Sequence, residues 1–141
     1  MEKILEAAAG LPTWRLKAGD VLVAEGQRTG RLYILSIGTL EVVRDGSSVA
    51  AMSQPGSVIG ELAVLLDEPH TATVRTRDGA IVHVVDDPVG FMDANPAVSR
   101  HIATTLAQRL QKTTAILVDM RKRSKEREDH ELFEKMFALL K

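Results

Sequence analysis

GELAVLLDEPHTATV, residues 60–74, sets a glycine and a carboxylate ahead of a short apolar segment and ends in a β-prone run. It divides two regimes in the chain. Before it lie short β-prone runs, VLVA at 21–24, RLYILSI at 31–37, TLEVVR at 39–44 and SVAAM at 48–52; after it come TATVRT at 71–76 and AIVHVVD at 80–86. Glycines punctuate them at Gly19, Gly26, Gly46, Gly56 and Gly79, where tight turns need a positive φ. This spacing predicts a closed or rolled sheet, with a short helical turn starting at Glu61 inside it.

Beyond Asp86 the pattern changes. Asp87-Pro88 and Asn95-Pro96 each put a capping side chain before a proline suited to a first helical turn, so two helices are expected to start there. The second carries Val98, Ile102, Leu106, Leu110, Thr113, Leu117 and Met120 at intervals of three or four residues, the stripe of a helix with a partner. A charged stretch, RKRSKEREDHE at 121–131, leads to Leu132, Phe133, Met136, Phe137 and Leu140, a further apolar helical face. Whether the helix continues or breaks near Ser124 stays open at this level. The expected division is 1–96 for the sheet core, 97–122 for the long helix and 123–141 for the charged stretch with a C-terminal amphipathic helix.

Composition narrows the function classes. A chain of 141 residues, 45% hydrophobic, suffices for one compact core. Eighteen basic and 19 acidic residues give no global field toward nucleic acid or anionic lipid. There is no cysteine, no secretory signal in MEKILEAAAG and no run long enough for a membrane helix, which fits a reducing cytoplasm. Arg121, Lys122, Arg123, Lys125 and Arg127 are interleaved with acids and read as a solvated helix face rather than a nucleic-acid site. His70, His83, His101 and His130 are scattered, with no His-x-His metal pair, no nucleophile elbow and no paired acid–base groups, so neither an enzyme nor a metal site is expected.

The opening stretch carries the chemistry. Unpaired N–H groups at a helix start bind phosphate without a charged side chain, and Gly60 lets a ligand approach closely. Glu61 would repel phosphate, so it makes sense facing a hydroxyl donor such as a ribose. Phosphate and ribose together describe a nucleotide. For the Gly-Glu pair by itself, a simple turn and helix start is the alternative.

KAGDVLVAEG at 17–26, LYILSIGTLEV at 32–42, Gly60-Glu61-Leu62-Ala63 and PHTATVRT at 69–76 are weak singly and specific together. Over residues from about 10 to 120 the chain resembles the cyclic nucleotide-binding domain family. The resemblance implies a mainly β fold, an eight-stranded β-roll flanked by helices, with a long C-terminal dimerisation helix. It assigns cyclic-phosphate contacts to the amides of Gly60 and Ala63, the ribose 2′-hydroxyl to Glu61, and places Leu62, Thr71 and Ala72 in the same pocket. The departure is His70, which stands where ligand-binding members usually have an arginine. A neutral imidazole offers one hydrogen bond and no charge, and only its protonated form recovers part of the contact. The missing guanidinium removes about 1.5–3 kcal/mol, roughly ten- to a hundredfold in affinity.

On the long helix, Thr113 and Thr114 are similar to the polar pair that reaches adenine in the catabolite activator subfamily, and Arg109 sits where that subfamily has an arginine near the ribose-binding glutamate. The implied function is a dimeric cytoplasmic sensor, pairing through residues 97–120, with cyclic AMP as the expected ligand and cyclic GMP as the other choice. Its output would pass to an effector through residues 126–141. Residues 121–141 are too few for a helix-turn-helix, so no DNA-binding domain is expected. The alternative is a dimerising scaffold of the same fold that has lost its ligand along with the arginine.

Overall fold

The computed structural model describes residues 2–124 and 127–140. Lys125 and Glu126, in the charged stretch, lie outside the described residues. The chain forms two compact units, residues 1–102 and 103–141.

The first unit holds α1 (Glu2–Ala8), β1 (Thr13–Leu16), β2 (Val21–Val23), β3 (Leu32–Gly38), β4 (Leu40–Arg44), β5 (Ser47–Met52), β6 (Val58–Ile59), α2 (Glu61–Leu66), β7 (Thr73–Arg75), β8 (Ala80–Val85), α3 (Pro88–Ala94) and the start of α4 (Pro96–Arg123). Two four-stranded antiparallel sheets run in the orders β1-β8-β3-β6 and β2-β7-β4-β5. The eight-stranded roll with flanking helices is therefore present. Six strands match the β-prone runs. The other two, β1 and the two-residue β6, are too short to show a period, and α1 is likewise an element that composition and periodicity do not mark.

Each sheet turns its apolar face inward. Leu22, Val23, Tyr33, Leu35, Leu40, Ile59, Val74, Ala80, Val82 and Val84 form the core, each large side chain contributing about 1.5–3 kcal/mol on burial. In β3 the intervening Leu32 and Ile34 are fully buried as well, so this strand is covered on both faces. Helix α1 packs on it, and the helices of this unit bury Ile4, Ala8, Pro88, Val98 and Ile102 among the described residues.

The two sheets join at a corner between β3 and β4. A Cβ at Gly38 would lie 2.4 Å from the Gly79 carbonyl, so no other residue fits. Thr76, buried beside it, donates its hydroxyl to the Thr39 carbonyl at 2.8 Å and accepts from the Gly79 amide at 2.9 Å.

Asp87 caps α3 as expected, its carboxylate accepting from the Gly90 amide at 3.2 Å. Asn95 acts differently from the expected cap. Its side-chain amide donates back to the Phe91 carbonyl at 2.9 Å and closes α3, while its own carbonyl accepts from Val98 and Ser99 to start α4.

In the second unit, α4 ends at Arg123, and α5 (Arg127–Ala138) follows, so the helix does break near Ser124. Arg121 pairs with Glu134 and lies 5.5 Å from the centre of the Phe137 ring. Phe133 is buried and Leu132 and Leu140 are exposed. Leu110, Ile116, Val118 and Met120 are exposed along α4, Ile116 at 60%. Among the described residues no helix is long and apolar enough to cross a membrane.

One buried charge sets an acid limit. Glu41 on β4 accepts from Nε and Nη2 of Arg77, at 2.9 and 3.0 Å, and from cross-strand Arg75 at 3.4 Å. The Arg77 hydrogen bonds lead in pushing its pKa from 4.5 down to about 2. A lowered carboxylate pKa means that the unfolded chain binds the proton first. The stabilisation is complete above pH 4.5 and is lost as pH falls from 4.5 toward 2. Thermal unfolding of wild type and Glu41→Gln across this range is expected to show a steep loss in wild type and a flatter one in the variant.

Candidate functional site

Gly60 links β6 to α2 with φ of 92° and ψ of 8°, a left-handed conformation that favours glycine. The helix then starts without a side-chain cap, and the Val64 amide returns to the Gly60 carbonyl at 3.1 Å. The first-turn N–H groups, that of Ala63 among them, have no carbonyl within the helix to bind. Asp67 ends the helix in the left-handed region, and Glu68 donates to the Ala63 carbonyl at 3.0 Å. Glu61 is only 8% exposed, a carboxylate withdrawn from water at the base of this turn. Leu62 is exposed, Ala63 and Ala72 are half-buried, and Thr71 is exposed.

His70 is 5% exposed, unlike Asp67 and Glu68 beside it, and so is not part of an exposed turn. Its amide donates to the Gln27 carbonyl at 2.9 Å, and its carbonyl accepts from Gly26 at 2.8 Å. The ring Nε2 lies 2.7 Å from the Thr29 hydroxyl. Burial pushes its pKa below the usual 6.5, so the ring is neutral near pH 7 and protonation is resisted on acidification. A charged imidazole standing in for the missing guanidinium is thus disfavoured in the ligand-free protein.

A Cβ at Gly60 would come within 3.2 Å of His70 Cε1 and 3.1 Å of the Arg31 carbonyl. The turn is wedged between those two residues. Arg31 in turn pairs with Asp86 at 2.8 Å and lies 5.4 Å from the centre of the Trp14 ring. Arg28 reaches the Asp67 carbonyl at 3.2 Å and its carboxylate at 3.4 Å, across the C-terminal end of α2.

Gly60, Glu61, Leu62, Ala63, His70, Thr71 and Ala72 therefore belong to one unit, with Gly60 and His70 in direct apposition. Arg109, Thr113 and Thr114 lie on α4 in the second unit, Thr113 exposed and Thr114 half-buried. Sequence reasoning missed Thr29 and Arg31. Their contacts with His70 and Gly60 span 41 and 29 positions, beyond any local pattern. Among the described residues no group of three His, Asp or Glu side chains is placed to hold a metal ion.

Residues 13–87, just over half of the chain and nearly the same span as the eight strands, match the family model of the cyclic nucleotide-binding domain. The chain is 33% identical over 88 residues to the cGMP-dependent protein kinase egl-4 of Caenorhabditis briggsae, covering 62% of this chain and 12% of that protein. It is 36% identical over 75 residues to the cAMP-dependent protein kinase regulatory subunit of Debaryomyces hansenii, covering 53% of this chain and 17% of that protein. It thus spans less than a fifth of the length of either relative. The catabolite activator protein of Thermus thermophilus superposes with a TM-score of 0.72 at 20% identity, over 84% of this chain and 59% of that one, and shares the fold. Because the family match covers the roll and the Gly60 turn within it, the chain belongs to the cyclic nucleotide-binding domain family, a family of regulatory domains.

Proposed function

We propose that this chain is a cyclic nucleotide sensor in which Gly60, Ala63 and Thr71 face the cyclic phosphate and Glu61 takes the ribose hydroxyl. The observation that carries this reading is the buried Glu61 at the foot of a left-handed glycine turn, in the segment where sequence and family match coincide. Cyclic AMP is the expected ligand, with Arg109, Thr113 and Thr114 as the further contacts. Cyclic GMP is the competitor, since one relative is named for each nucleotide and a threonine hydroxyl both donates and accepts. The reading includes a cytoplasmic homodimer that signals through its C-terminal helices to an effector.

A second reading, a ligand-free dimerising scaffold, draws support from His70, which is neutral and turned onto Thr29. Calorimetry with cyclic AMP and cyclic GMP separates the two. The sensor is expected to bind, and Glu61→Ala to weaken binding by roughly ten- to a hundredfold, as loss of a hydrogen bond to a charged group implies. Binding by neither nucleotide would select the scaffold; undiminished binding by Glu61→Ala would remove the ribose role.

Leu106, Leu110, Leu117 and Met120 recur along one face of α4, the first and third half-buried and the others exposed, which supports pairing of α4 with its copy because an apolar stripe of this length is unfavourable in water. Light scattering is expected to give a dimer for wild type and a monomer for the Leu106→Asp, Leu110→Asp double variant. A monomeric wild type would exclude this mode of assembly.

A further inference from the structure

His70 occupies the position of a ligand-binding arginine, yet its ring is engaged inside the protein. Thr29 Oγ1 accepts the Arg31 amide at 3.3 Å and lies 2.7 Å from His70 Nε2. A hydroxyl has one proton and two lone pairs, so this contact is a hydrogen bond in either tautomer of the neutral ring: Thr29 donates to a bare Nε2 or accepts from Nε2–H. The ring edge at Cε1 faces the place a Cβ of Gly60 would take, at 3.2 Å, and the Arg31 carbonyl lies 3.1 Å from that same point. Arg31 is fixed in its turn by Asp86 and Trp14. Two segments distant in sequence, residues 29–31 and His70, close on one glycine.

We propose that His70 is a positioning residue: with Thr29 and Arg31 it forms a hydrogen-bonded brace that holds the Gly60 turn in its binding conformation, rather than contacting ligand itself. This rests on the reading of the turn as the nucleotide site. The brace has the features the role requires. Its histidine is buried and its threonine half-buried, its side-chain hydrogen bond crosses between loops, and it faces the turn where only glycine leaves room. His70 also anchors the 24–30 loop through both of its backbone groups, so ring and main chain restrain the same pair of segments.

Thr29→Val keeps the shape of the side chain and removes the hydroxyl; Thr29→Ser keeps the hydroxyl. Amide hydrogen exchange in the ligand-free full chain reads the turn through Val64, whose amide binds the Gly60 carbonyl, and reads the core through Val82 and Val84. Calorimetry with cyclic AMP and cyclic GMP reads the consequence. Thr29→Val is expected to speed exchange at Val64, leave Val82 and Val84 protected, and weaken nucleotide binding about three- to tenfold, the usual range for one neutral hydrogen bond. Thr29→Ser is expected to restore both properties. Unchanged exchange at Val64, or loss of protection at Val82 and Val84 to the same degree, would overturn the brace. So would equal or tighter binding by Thr29→Val, the result expected if a released imidazole reached the phosphate. Absence of nucleotide binding by wild type would defeat the nucleotide reading alone, since the exchange measurement still decides the brace.

Discussion

The space above Gly60 is closed on two sides, by the Arg31 carbonyl and by the edge of the His70 ring. That constraint fixes much of the site. A Cβ at position 60 would press on both the Arg31 carbonyl and the buried ring, and the φ of 92° is itself one that only glycine holds at low cost. Because Gly60 also caps α2, its orientation sets the direction of the first-turn amides and the depth of Glu61. The chemistry of the turn is thereby coupled to residues of the 24–31 loop, none of which belongs to the Gly-Glu-Leu-Ala signature.

The roll makes this coupling rigid. β3 leaves Arg31 at one end and reaches the Gly38 corner at the other, pairing with β8 along most of its length. At the corner Thr76 ties the β3–β4 connection to the β7–β8 turn, and the strand preceding that turn begins at Thr73, three residues after His70. The two loops that wedge Gly60 are therefore mounted on strands sharing one core and one corner. Side chains buried at both faces of β3 leave little room for the loops to move independently.

Much of this was legible in the sequence. Six β-prone runs, the helical turn at Glu61 and the helix starts at Pro88 and Pro96 were marked by alternation, glycine turns and proline, all of which act within a few residues. β6 was not, because two residues have no period and the strand exists only through its pairing with Tyr33 and Ile34. Asn95 was misjudged in role because the same amide can serve the helix before it or the one after it, and the choice depends on where Phe91 points its carbonyl. His70 was hardest to read. Its neighbours Asp67 and Glu68 are polar and exposed, and nothing local distinguishes a histidine that joins them from one that turns inward to a threonine 41 positions earlier.

The electrostatics around the turn follow from the same arrangement. Arg28 pairs with Asp67 and Arg31 with Asp86 at the exposed surface, which offsets part of the positive charge of the loop, and the buried imidazole beside them is uncharged. A phosphate at this turn would rely on oriented main-chain dipoles and the Thr71 hydroxyl for most of its stabilisation, contacts that are individually weaker than a bidentate guanidinium and that depend more steeply on geometry. A site of that kind gains most from a turn held in place before the ligand arrives, since little charge attraction is left to offset the entropy of ordering it. On the proposed reading of the turn, the buried histidine would serve that end, with a neutral contact that fixes the backbone in place of a charge that reaches toward the ligand.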